Sequence, residues 1–152
     1  MVSSDDVMDD LVGVGGGQDK LIKLYSFNEG NAFLAHTLEG HTEHVNSLYI
    51  LSDCKTLCSG SDANSIKFWN PADGSLVMSI DQAHTNFVFS VSCIYSPNGR
   101  VLVSAAHDNT MKIWDAEKFE LKHTFEQEFI TNQLTITADS NFIVSANDDK
   151  TN

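Results

Sequence analysis

Residues 101–115 read VLVSAAHDNTMKIWD: an apolar, β-branched run to Ala105, a polar break at His107, Asp108 and Asn109, then Met111 and Ile113 alternating with Lys112 up to Trp114 and Asp115. Period-two alternation on either side of a break with turn chemistry predicts strand, tight turn, strand. The pattern recurs. Forty-five positions earlier stands TLCSGSDANSIKFWN, ending in Trp69 and Asn70, and forty-four before that LVGVGGGQDKLIKLYS, with Tyr25 in the place of the tryptophan. A further copy opens at Phe142 as FIVSANDDKTN and reaches Asn152 without a third strand.

Extending each copy to its flanking turns predicts strands over 11–15, 20–27 and 31–37; then 44–51, 55–60, 65–70 and 75–80; then 87–95, 101–106, 110–115 and 120–125; and finally 129–137 and 142–146. Pro71, Ala72, Asp73 and Gly74 supply one hairpin turn, Ser52 and Asp53 another, and Ser96, Pro97, Asn98 and Gly99 a third. Residues 117–127 also fit a short amphipathic helix, but their place in the repeat assigns 120–125 to an outer strand. A period of about 40–45 residues built of short strands and closed by Trp-Asp is the signature of a propeller blade. The chain resembles the WD-repeat family of β-propellers from about Leu11 onward. Gly40 and His41 open one repeat that Trp69 and Asn70 close; Ala83 and His84 open the next, closed by Trp114 and Asp115.

The resemblance implies an all-β fold, a partial WD-repeat β-propeller of four-stranded antiparallel blades. Residues 1–10 form an acidic lead, 11–38 the last three strands of a blade, 39–81 and 82–126 two complete blades, and 127–152 the first two strands of another. Propellers of this family close with four or more blades. Two expectations follow: the chain is a segment of a longer propeller, or it is completed by another chain or a second copy, with two arcs forming a ring. In the homodimer 11–15 and 142–146 compete for one place.

Composition narrows the function. The hydrophobic fraction, 41% of 152 residues, suffices for a core, and two prolines argue against disorder. No apolar run approaches about 18 residues, and the acidic start MVSSDDVMDD lacks the regions of a signal peptide, so no membrane association is expected. Cys54, Cys58 and Cys93 are odd in number and lie in or beside strands, and no Asn-x-Ser/Thr sequon occurs, which favours a reducing, cytoplasmic or nuclear setting. A net charge of −12, from 21 acidic against 9 basic residues, opposes nucleic-acid binding, which needs clustered Lys and Arg. It also keeps an exposed β-protein in solution.

In the family, a blade-entry His, a second-strand Ser or Thr, an Asp in the following turn and the third-strand Trp form a buried hydrogen-bond chain. The physical need is general: an unpaired buried polar group costs about 1–3 kcal/mol. By resemblance one complete blade supplies His84, Ser104, Asp108 and Trp114. The other supplies His41, Ser59 and Trp69, with Ala63 at the Asp position and Asp62 beside it pointing the other way by alternation. The opening blade keeps Asp19 but has Gly15 and Tyr25 in the Ser and Trp places; the last has Ser145 and Asp149, with Glu126 and Gln127 where the His would be.

Other chemistry fits these residues less well. Gly13, Gly15, Gly16 and Gly17 have no following Gly-Lys-Ser/Thr or helix, so they mark strand packing rather than a phosphate loop. Ser104, His84 and Asp108 evoke a hydrolase triad, yet no nucleophile elbow accompanies them. His41 and His44 with Cys54 or Cys58 match no four-ligand zinc spacing. No catalysis, metal or cofactor is expected. The family binds protein or peptide partners at the rim of one face, and the positions matching that rim are His44, Asn46, Asp62, Phe87, Phe89, His107, Gln18 and Asp148. Alternation puts Phe87 and Phe89 on one side of their strand, and two extra residues between His84 and Pro97 leave their register open by two. An exposed aromatic pair is a usual interface anchor, and a core position for one of them is the competing reading.

Overall fold

The computed structural model describes residues 11–15, 17–28, 30–51, 55–96, 99–137, 139 and 141–148. Among them are thirteen strands and no helix: β1 (Leu11–Gly15), β2 (Ile22–Asn28), β3 (Asn31–Leu38), β4 (Val45–Ile50), β5 (Leu57–Ser61), β6 (Ile66–Trp69), β7 (Leu76–Ile80), β8 (Val88–Ser96), β9 (Gly99–Ala106), β10 (Thr110–Asp115), β11 (Glu120–Glu126), β12 (Ile130–Ile136) and β13 (Ile143–Asp148). They form four antiparallel sheets, three meanders and one hairpin: β1-β2-β3, β4-β5-β6-β7, β8-β9-β10-β11 and β12-β13. The ambiguous stretch after Glu117 is strand β11, paired to β10 from Thr110↔Glu126 to Asp115↔Glu120.

The core lies between sheets, with one apolar cluster per junction. Ile22, Leu24 and Leu38 meet Val45, Leu57 and Trp69. Cys58, Ile66 and Phe68 meet Val88, Val91, Cys93, Leu102 and Trp114. Val103 and Ala105 meet Leu134. Within a middle sheet the central strands are covered on both faces, which is why β5 and β6 are buried throughout, while the outer strands β7 and β11 lie beyond that cover and are largely exposed. Gly60 makes the closest approach: a Cβ there would stand 2.7 Å from Val88 Cγ1.

A polar stitch accompanies the apolar layers. Ser47 Oγ on β4 accepts the Val91 amide of β8 at 3.0 Å, and Ser90 Oγ on β8 accepts the Leu134 amide of β12 at 3.0 Å. The same bond thus joins successive inner strands. Each inner strand also carries a bulge at the matching position, opposite the shifts Val45/Ser47, Val88/Ser90 and Thr131/Gln133. The bulged residues are Asn46, Phe89 and Asn132, evenly spaced along the chain. Bulges re-aim side chains at sheet ends, and here they fix the register left open by the sequence. Phe87 and Phe89 keep the places of His44 and Asn46, and the extra residues fall toward the β8–β9 turn.

Candidate functional site

The third sheet holds a continuous buried chain. Trp114 Nε1 donates to Ser104 Oγ at 2.9 Å, Ser104 Oγ lies 2.7 Å from His84 Nε2, and His84 Nδ1 lies 3.0 Å from Asp108 Oδ2. Burial pushes His84 below its ordinary pKa, although Asp108 pulls the other way. A neutral imidazole completes the chain: the Ser104 hydroxyl donates to Nε2 and Nδ1–H donates to the carboxylate. Asp108 also accepts the Thr85 amide at 2.9 Å, the Thr110 amide at 3.0 Å and the Thr110 hydroxyl at 2.7 Å. Burial alone would raise its pKa, but bonds from Thr110, Thr85 and His84 outweigh that and leave it low.

The second sheet repeats the chain with one link changed. Trp69 Nε1 donates to Ser59 Oγ at 2.9 Å, and Ser59 Oγ lies 2.6 Å from His41 Nε2. Beyond the ring, the partner of Nδ1 among the described residues is Ser65 Oγ at 3.5 Å, the limit of a hydrogen bond. His41 is pushed down to about 4, first by burial, then by Lys67, with Asp81 opposing. Ser65 and Thr110 were not singled out from the sequence, although both precede the closing Trp by four residues.

The end sheets differ. Asp19 belongs to no buried chain. It stands exposed on the β1–β2 turn, accepting the Leu21 amide at 3.3 Å and the Lys23 ammonium at 3.0 Å, because Gly15 offers no hydroxyl and Tyr25 no indole. Ser145 is exposed on β13, and Asp149 lies outside the described residues. Gln18 is exposed beside Asp19, and Asp148 is exposed at the end of β13, paired with Ile130.

Above the buried chains, equivalent positions converge on a rim. In the second sheet Asn46 Nδ2 donates to Asp62 Oδ1 at 2.6 Å, and His44 Nδ1 lies 3.5 Å from Asp62 Oδ2. In the third, Phe87 stacks on His107 with ring centroids 6.3 Å apart, and Phe89 meets His107 edge-on at 5.4 Å. Phe87 is 42% exposed, Phe89 half-buried and Val88 between them fully buried. Asn46 Nδ2 also donates to Val88 O at 3.1 Å and joins the two groups. Chemically, the Ser104 and Ser59 hydroxyls are enclosed and committed to their Trp and His partners, while the rim side chains present unfilled contact area.

Residues 33–70 and 74–115 match the family described as WD domain, G-beta repeat. The chain belongs to the WD-repeat family. Among curated WD-repeat relatives, Autophagy-related protein 16 of Arabidopsis thaliana is 27% identical over 84% of this chain and 23% of its own length. Nuclear distribution protein nudF of Aspergillus flavus is 37% identical over 66% of the chain and 22% of its own length. Serine-threonine kinase receptor-associated protein of Mus musculus is 29% identical over 88% of the chain and 36% of its own length. The chain therefore spans less than two fifths of the length of these relatives. Each matched repeat ends on the Trp-Asn or Trp-Asp pair that closes a blade's third strand.

Proposed function

We propose that this WD-repeat segment is a non-catalytic scaffold that presents its rim to a protein or peptide partner. The observation that carries the reading is the aromatic group of Phe87, Phe89 and His107, with Phe87 and His107 exposed and Phe89 half-buried, above buried chains whose polar groups are committed to one another. Aromatic side chains set in a rigid frame concentrate binding energy. Free, buried Cys58 and Cys93 support a reducing, cytoplasmic or nuclear setting. The test is cross-linking of the chain to its cellular partners, comparing wild type with Phe87→Ala/Phe89→Ala. The expected result is loss of cross-links by the variant with its circular dichroism unchanged; an identical partner set would overturn the rim.

A second role is completion by further propeller strands, from a longer chain, another subunit or a second copy. It is favoured by the apolar exposure of the last sheet, Phe142 66% before β13 and Val144 51% on it, where the equivalent strands β5 and β9 are wholly or mostly buried. Such surface normally lies against a neighbour.

A further inference from the structure

The rim is polarised, and the polarity identifies its partner. Asp62 is held as an anchored carboxylate, Oδ1 accepting from Asn46 and Oδ2 facing His44, with its side chain 23% exposed. The same Asn46 amide donates to Val88 O, the backbone between Phe87 and Phe89. One side-chain amide thus spans the space between a carboxylate and an aromatic shelf. Exposed acidic residues also stand in the β1–β2 turn at Asp19, before β4 at Glu43, before β12 at Glu128 and at the end of β13 at Asp148. Two cations stand among them and both are engaged: Lys20 is tied to Glu43 at 3.6 Å and donates to Thr42 O at 2.6 Å, and Lys23 is tied to Asp19 at 3.0 Å.

Resting on the reading of this rim as a partner surface, we propose that it takes an arginine or lysine side chain of an extended peptide. The aliphatic stem lies across Phe87 and Phe89, and the charged head meets Asp62. The chemistry is complementary at both ends. An aromatic face attracts a cation through its quadrupole, long basic side chains bury their methylene stems on apolar surface, and a fixed carboxylate orients the head. The net charge of −12 draws basic segments from solution and repels acidic ones. An acidic or phosphorylated peptide would be repelled by the Asp62 carboxylate.

Fluorescence anisotropy with three sets of fluorescein-labelled nonapeptides tests this: a central Arg or Lys between apolar residues, the same sequences with norleucine, and the same with Glu. Each set is titrated with the wild-type chain, Asp62→Asn, Phe89→Ala, and Phe87→Ala as the variant at an already exposed ring. Near-ultraviolet circular dichroism of Trp69 and Trp114 checks each fold. The expected result is selective binding of the Arg or Lys set, weakened about two- to thirtyfold by norleucine or by any of the three substitutions, and weakened further by salt. Preference for the norleucine or Glu set, lost in the Phe variants, would overturn the cation while leaving the rim as a docking surface. Binding insensitive to every variant, or no binding of any set, would overturn the rim itself.

Discussion

His41 and His84 occupy the same place in successive blades, yet their Nδ1 atoms face different partners. His84 has the Asp108 carboxylate, whereas His41 has a serine at the edge of hydrogen-bond range. The consequence is a pH dependence of stability. His41 titrates near 4 in the folded chain against 6.5 unfolded, from burial first and Lys67 second, with Asp81 partly offsetting. Below pH 6.5 the unfolded chain takes up a proton that the folded chain refuses. The stability is therefore intact above 6.5 and is lost as pH falls toward 4, by roughly 3 kcal/mol at full extent. Urea midpoints at pH 7.5 and 5.0 measure the loss. His41→Asn should flatten the slope over that interval, and Ala63→Asp, which gives His41 the partner that His84 has, should reduce it. Unchanged slopes in both variants would remove His41 as the cause.

Much at the residue scale was legible, because His, Ser and Trp recur in phase and one buried polar group demands the next. Ser65 and Thr110 were hidden for a physical reason: a small hydroxyl residue beside a turn has many roles, and only the ring placed against it selects one. Asp19 showed the opposite error. Its spacing matches the pattern, but a spacing cannot build a chain where glycine and tyrosine replace the serine and the indole.

At the scale of elements, strand existence and order could be read from alternation and turn chemistry, whereas the bulges could not. An extra residue at Asn46, Phe89 or Asn132 leaves no mark in a hydrophobic pattern; it appears only in the ladder. Turn conformations repeat as faithfully. Lys20, Asn64 and Asn109 take left-handed φ values of 62°, 60° and 59° in the turn before each third or equivalent strand. In the following turn Gly30 and Gly74 take 82° and 75°, and Phe119 takes 58° at the matching place. A phenylalanine there costs about 1–2 kcal/mol of backbone strain, which its edge-on contact with Phe68, ring centroids 4.8 Å apart, helps to offset.

Gly60 fixes the spacing between two blades. A methyl group 2.7 Å from Val88 Cγ1 and 3.2 Å from Val91 Cγ1 forces β5 and β8 apart. Gly60→Ala is expected to destabilise the chain by about 1–3 kcal/mol, read as a lower urea midpoint. The double variant Gly60→Ala/Val88→Ala should recover part of the loss, since it removes Val88 Cγ1, the nearest obstruction, and leaves Val91 Cγ1. A Gly60→Ala chain as stable as wild type would show that the two sheets are free to separate.

Across the whole molecule, sequence repeat and blade are out of step by one strand. The matched segment 33–70 takes in β3 of the first sheet and β4, β5 and β6 of the second, and 74–115 takes in β7 with β8, β9 and β10. Each repeat therefore links two blades covalently, while the Ser47 and Ser90 stitches link them again at the inner strands. At Gln133, the position matching Ser47 and Ser90, the side chain is exposed, and β13 is exposed along its length. An uncovered apolar sheet with an unpaired edge promotes association. The isolated chain is expected to sediment as a dimer or larger species at micromolar concentration. With a net charge of −12, apolar association should strengthen as salt screens the repulsion between copies. Val144→Lys, which sets a charge on the exposed strand β13, should shift the equilibrium toward monomer. A wild-type chain that stays monomeric and folded at high salt would mean that these sheets need no cover, and the completion reading would fall while the rim remained to be tested on its own.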